Sequence, residues 1–143
     1  MSAQKDHIKK FFNHLSMSTL KLVDEFYAPE AEFNDPVVHI KGRQKITEYY
    51  RGLYQNVESI QFEFPSIVEE GTTCCAVWTM HLRAKKLKGG EPLSIPGMSH
   101  LVFEPDSLLV GYHRDYFDMG AFIYEHIPLL GAVIRTIKKR LHS

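Results

Sequence analysis

An excess of charge of either sign is missing from this sequence. Lys plus Arg and Asp plus Glu number 17 each, so the chain offers no basic footprint for nucleic acid. Cysteine is scarce: only Cys74 and Cys75 occur. As neighbours on an extended segment they point to opposite faces, which argues against a bridge between them and for a reduced, cytoplasmic protein. No run reaches the roughly 18 to 20 apolar residues that span a bilayer, and Ser2 to Lys10 carry charges without the apolar stretch of a signal peptide. Glycine-rich phosphate loops, a Ser or Cys nucleophile in a recognisable motif, and His-Glu-x-x-His spacing are also absent. The expectation is therefore a protein with no metal and no cofactor. Internal repeats, low-complexity segments and linkers are lacking too, and 143 residues make one domain, 1–143.

Aromatic residues are what the chain does have: nine Phe, seven Tyr and one Trp. They are more than a minimal core needs and suggest a lined cavity beside a packed interior. Ile8, Phe11, Phe12 and Leu15 fall at i, i+3, i+4 and i+7, the apolar face of a helix from about Ala3 to Leu15. Ser18 is a candidate cap for a second helix that buries Leu22, Val23 and Phe26 and ends near Ala28-Pro29. Val37 to Ile40 reads as a short strand, and Gly42 opens a third helix with Ile46, Tyr49, Tyr50 and Leu53 as its inner stripe.

From Val57 the period changes to two. Ile60, Phe62 and Phe64 alternate with polar residues. Gly71 then turns the chain into a long strand, Thr72 to Leu87, with Cys74, Ala76, Trp78, Met80 and Leu82 on one face, and Gly89-Gly90 marks the next turn. Strands over about Gly97 to Glu104 and Leu108 to Phe117 flank the Glu104-Pro105-Asp106-Ser107 turn. Helices first and antiparallel strands afterwards argue for an α+β fold with the helices on one face of a curved sheet.

The C-terminal stretch, 119–143, is helical in pattern but interrupted at Pro128, with an apolar stripe of Leu130, Val133, Ile134, Ile137 and Leu141 and a basic end of Arg135, Lys138, Lys139 and Arg140. Three readings stay open: a capped helix docked on the domain, a cover over a pocket, or an amphipathic helix on an anionic membrane surface.

Two helices, then Phe26-Tyr27-Ala28-Pro29-Glu30-Ala31-Glu32-Phe33-Asn34-Asp35-Pro36, then Gly42 with an apolar helix, and a meander ending in Arg114-Asp115-Tyr116-Phe117-Asp118 together resemble the SnoaL-like branch of the nuclear transport factor 2-like superfamily. The resemblance runs over about residues 5–118, with 119–143 as an extension. It implies a cone-shaped, strongly curved antiparallel sheet whose N-terminal helices cover the concave face, an apolar pocket for a small molecule, and homodimerisation through the other face. The scaffold serves isomerases, cyclases, hydrolases and non-catalytic binders alike.

Steroid delta-isomerases of that superfamily place their base in a Glu-Asp-Pro-Val stretch, which Asn34-Asp35-Pro36-Val37 resembles. Their two oxyanion donors correspond to Phe11 and Ser99, which lack the required groups, so the resemblance does not extend to that reaction. Asp35 is then either a proton acceptor facing the pocket or the cap of a turn. If Ser99 faces the pocket, so do Leu101 and Phe103, and the same alignment turns Tyr112, Arg114 and Tyr116 inward from the next strand. A buried Arg114 would need an anion, either Asp35 or an acidic substrate group. Some cyclases of the family take a proton with an aspartate near Asp115 or Asp118, the latter also being placed to cap the helix that follows. Trp78, Met80, Tyr49 and Phe11 complete the expected ligand contacts, each equally at home in a plain core. His81, His100 and His113 are expected together on the opposite, polar face, at a dimer interface or scattered. A register error of one would instead set them beside Asp115. Two functions remain: acid/base isomerisation, cyclisation or hydrolysis of a small carbonyl or cyclic substrate, and ligand or partner binding without turnover.

Overall fold

The computed structural model describes residues 2–85 and 91–118. Its elements in chain order are α1 (Ala3–His14), α2 (Leu22–Phe26), β1 (Tyr27–Asn34), β2 (His39–Lys41), α3 (Arg43–Tyr54), β3 (Val57–Glu70), β4 (Thr73–Ala84), β5 (Leu93–Phe103) and β6 (Val110–Tyr116). The expected turn at Gly89-Gly90 and the helical stretch 119–143 lie outside the described residues.

Ser2 starts α1 by accepting the Lys5 N–H at 3.0 Å, a side-chain N-cap that satisfies one otherwise unpaired donor of the first turn. The buried Ile8, Phe11 and Phe12 press α1 onto the sheet. Phe12 meets Phe62 and Phe64 edge-on, and Phe11 stacks on Phe26 of α2 with centroids 4.1 Å apart. Asn13 secures the outer strand: its Nδ2 donates to the Phe62 carbonyl and its Oδ1 accepts the Phe62 N–H. Strand β3 ends the sheet, so this clasp pairs backbone groups that would otherwise be open on an edge. In α3, Ile46, Tyr50 and Tyr54 are buried, while Leu53, expected inside, is 49% exposed.

Six strands form one sheet in the order β2-β1-β6-β5-β4-β3. All neighbours are antiparallel except β1 and β6, which run parallel. The expected all-antiparallel sheet is thus a mixed one. Strand β1 was hidden because Ala28-Pro29 reads as a helix stop. Proline survives here because β1–β6 pairing lapses between Tyr27 and Glu32, where its missing N–H breaks no ladder bond. The second helix is correspondingly short, and Ser18 caps nothing: its hydroxyl bonds Ser16, with Lys21 at the N-cap position instead.

Register shifts fall between Tyr27 and Glu32 on β1, between Val57 and Ser59 on β3, and at two bulges farther along the sheet. One, around Phe64-Pro65, sits between the Glu63–Thr79 and Ser66–Val77 pairs. The other places Gly111 as an extra residue between Val110, opposite Phe103, and Tyr112, opposite Val102. A bulge of one residue reverses which side chains point inward beyond it. Val110 is fully buried, and counting in twos from it would bring Tyr112, Arg114 and Tyr116 inside. After the bulge it is His113 and Asp115 that turn in.

Candidate functional site

At the junction of β1 and β2, Asp35 is held in a tight turn. Its Oδ1 accepts the N–H groups of Val37 and Val38 at 2.7 and 2.8 Å, and its own N–H donates to the Val38 carbonyl. This is the side-chain hydrogen bonding that lets aspartate mimic a backbone turn. The second oxygen, Oδ2, accepts the Tyr49 hydroxyl at 2.5 Å. Asp35 therefore both caps the turn and orients a phenol, and its lone pairs are largely committed.

A longer chain of hydrogen bonds lies in the core beside it. The Tyr50 and Tyr27 hydroxyls are 2.7 Å apart. The Tyr27 hydroxyl is 2.7 Å from His113 Nδ1, and His113 Nε2 is 2.6 Å from Asp115 Oδ1. From the other side, Trp78 Nε1–H donates to Ser99 Oγ at 2.9 Å, and Ser99 donates to the same Asp115 Oδ1 at 2.5 Å. Tyr27 and Ser99 are fully buried and His113 is 1% exposed, so every polar atom in the chain needs its partner. With Asp115 ionised, one neutral arrangement satisfies them all: Tyr50 donates to Tyr27, Tyr27 to Nδ1, and Nε2–H to the carboxylate.

Asp115 is the outlet of this chain. Its side chain keeps 18% of its surface, and Oδ2 has no hydrogen-bond partner among the described residues. Its negative charge also reaches Tyr27, Tyr49, Tyr50 and Tyr54, whose phenols are held above their ordinary pKa, first by burial. For Tyr49 the bond to Asp35 adds to this. All four phenols consequently stay protonated around neutral pH.

The other expected site residues divide by face. Trp78, Ser99, Leu101, Phe103 and Phe11 are buried, and Met80 packs against the core. Tyr49 is half-buried beside Phe33. By contrast, Tyr112, Arg114 and Tyr116 pair with Val102, His100 and Met98 on the opposite face, a correction that the Gly111 bulge explains. Arg114 is exposed, with its guanidinium 5.6 Å from the Tyr116 ring centroid, so it meets neither Asp35 nor Asp115. Among the histidines, His100 packs on Tyr112 of that outer face and His81 bonds Glu63 and Ser94. His113 departs from the group into the core. That His113 and Asp115 share a face follows from the period of two; that this face points inward depends on the bulge, for which Gly111 is the one local signal.

Rings pack closely in the interior: Phe11 contacts Phe26, Tyr27 and Tyr50, and Phe26 contacts Tyr27. A solvent-open depression of about 660 Å³ between β2 and α3 reaches Tyr49 but is otherwise lined by His39, Ile40, Lys41, Gln44, Lys45 and Glu48. None of the expected apolar contacts on β4 and β5 lines it. Among the described residues no three His, Cys, Asp or Glu side chains gather as metal ligands, and no helix is long and apolar enough to cross a membrane.

Comparison with known proteins supplies a family-level context. A model of the SnoaL-like domain matches residues 8–112. No curated protein matches by sequence. Among solved structures, an NTF2-like protein of unknown function from Burkholderia pseudomallei aligns over 90% of this chain and 99% of its own, with 15% identity and a TM-score of 0.74. A Shewanella denitrificans protein that carries the name SnoaL-like polyketide cyclase aligns over 82% and 92%, with 17% identity and a TM-score of 0.72. A Catenulispora acidiphila protein with a ketosteroid isomerase-like fold, in complex with trimethylamine, aligns over 88% and 93%, with 11% identity and a TM-score of 0.71. At these identities the likeness concerns the fold.

Proposed function

The chain belongs to the SnoaL-like domain family, and from that premise we propose that it performs proton-transfer chemistry on a small carbonyl compound, with Asp115 as the proton acceptor. One observation carries this reading. Asp115 Oδ1 is held by two donors, Ser99 and His113, while Oδ2 is unpaired among the described residues on a partly exposed side chain. A base needs a free lone pair in a fixed direction within reach of its substrate, and Oδ2 offers one.

In the proposed step a C–H bond beside the carbonyl breaks. The proton passes to Oδ2 and the electron pair forms an enolate. Return of the proton to the same carbon gives exchange, and return to a conjugated carbon gives isomerisation, with no net oxidation. Asp35, spent on the turn and on Tyr49, serves better as the holder of a protonated phenol than as a second base. Arg114, on the outer face, has no part in the step.

Proton exchange into D₂O from a panel of cyclic ketones and enones, followed by ¹H NMR, tests this. The native protein should speed exchange for at least one member, and Asp115→Asn should lose on the order of 10²–10⁴-fold, the usual worth of a general base. Equal rates for the two proteins would overturn it.

The packed aromatic interior favours a second reading, a binding module that takes its ligand at the edge of the sheet without turnover. In that reading the outer face, with Val68, Val77 and Tyr116 exposed, supports a homodimer, and the basic stretch 119–143 would contact a partner or membrane surface. Turnover by no ketone, together with retention of a co-purified small molecule, would decide for it.

A further inference from the structure

We propose that Gly97 and Trp78 are positioning residues for Asp115, acting through the hydroxyl of Ser99. The proposal rests on reading Asp115 as the proton acceptor, yet it is carried by a different observation, the close approach of an indole to bare backbone. Trp78 and Gly97 are cross-strand partners on β4 and β5. A Cβ placed on Gly97 would fall 2.3 Å from Trp78 Cη2, 2.6 Å from Cζ3 and 2.8 Å from Cζ2, closer than any carbon pair tolerates. Only glycine lets the indole lie flat on β5 at this point, as aromatic rings cover glycines in other sheets.

The ring has no room to swing away. Trp78 is 4% exposed, and Phe62 meets it edge-on with centroids 5.5 Å apart. Lying across Gly97, it carries its N–H along the strand to Ser99 Oγ. That bond decides what Ser99 can do. A hydroxyl has one hydrogen. With an oxygen lone pair engaged by the indole N–H, the hydrogen is aimed at Asp115 Oδ1, 2.5 Å away. Together with His113 this engages Oδ1 and fixes the carboxylate plane, which leaves Oδ2 as the reactive oxygen. A tryptophan that served only as core would also need an acceptor for its buried N–H, but its N–H would not sense the charge of Asp115 through Ser99.

Trp78 is the sole tryptophan, so the full-length protein has a single indole N–H resonance in a ¹H–¹⁵N spectrum. Asp115→Asn, which replaces a charged acceptor by a neutral amide of the same shape, should move that resonance by more than its linewidth. In a Ser99→Ala background the same change should leave it in place. Gly97→Ala should displace the resonance and abolish its response to Asp115→Asn. A resonance indifferent to Asp115→Asn, or equally responsive with and without Ser99, overturns the proposal. The Ser99 pair stands as the test should Gly97→Ala fail to fold.

In the ketone exchange assay, Ser99→Ala should lower kcat about ten- to a hundredfold, the worth of one hydrogen bond to a charged group, with KM kept; a fall in substrate affinity alone would also overturn the positioning role. Failure of the base reading is seen separately, as turnover indifferent to Asp115→Asn, because the indole readout needs no substrate.

Discussion

Replacing Tyr27 by Phe probes the buried chain at its middle link. The substitution keeps the ring, and with it the packing against Phe11, Phe26 and His113. Only the hydroxyl is lost, along with two contacts, Tyr50 at 2.7 Å and His113 Nδ1 at 2.7 Å. His113 is 1% exposed and Tyr50 8%, so water cannot take over freely at either atom. Each buried polar group left unpaired costs about 1–3 kcal/mol, giving about 2–6 kcal/mol for the two. Against a typical stability of roughly 5–15 kcal/mol, that is a large share. Urea unfolding followed by Trp78 fluorescence should show a lower midpoint with an unchanged slope, the mark of lost stability without a change in the exposed surface.

A double substitution sharpens the argument. Adding Tyr50→Phe removes the one stranded hydroxyl and leaves only His113 Nδ1 unpaired, so Tyr27→Phe with Tyr50→Phe should cost less than the sum of the single changes by about 1 kcal/mol or more. A loss below about 0.5 kcal/mol for Tyr27→Phe, or strict additivity of the pair, would refute the view that these hydroxyls form one desolvated network. It would also weaken the claim that His113 is oriented from behind.

Two titratable groups outside the network make further predictions. Burial pushes the Cys74 thiol up to about 11, above its unfolded value, so the folded state resists ionisation that the unfolded chain accepts. The stabilising effect of a neutral Cys74 is full below about pH 8.5, the ordinary thiol pKa, and is lost as the pH rises through about 11. Stability measured from pH 8 to 11 should fall less steeply in Cys74→Ala, and in the native protein at pH 8 a thiol reagent should modify Cys75 well before Cys74. For His7, desolvation lowers the pKa, and its Nε2 is buried without a partner among the described residues. Folding then disfavours the charged imidazole, so its contribution is present above about pH 6.5, the ordinary imidazole value, and fades as the pH falls through the depressed folded pKa. His7→Leu should flatten that acid limb in unfolding experiments; an unchanged slope would mean the ring is free to charge in the folded state.

Much of the architecture was legible in the order of residues. The Ile8, Phe11, Phe12 stripe marked α1, the Ile46, Tyr50 face marked α3, and alternation through Phe62, Trp78 and Leu101 marked three strands, because helical and extended periods differ and burial follows them. The short strand after Asp35 was also visible, displaced by about two residues. Strand β1 was not, because its Pro29 carries a breaker signal that pairing geometry alone makes harmless.

For the site, the sequence by itself determined which residues could do chemistry, Asp35 and Asp115 as carboxylates, and that Trp78 and Ser99 share one face of the sheet. Tertiary structure decided which of them meet. The extra residue at Gly111 reverses the phase of β6, turning Arg114 out, His113 into the core and Asp115 to the inner face. A strand with charged or polar groups on both faces has no hydrophobic alternation to announce that reversal. Only the ladder with β5, and the burial it imposes, selects the inward set.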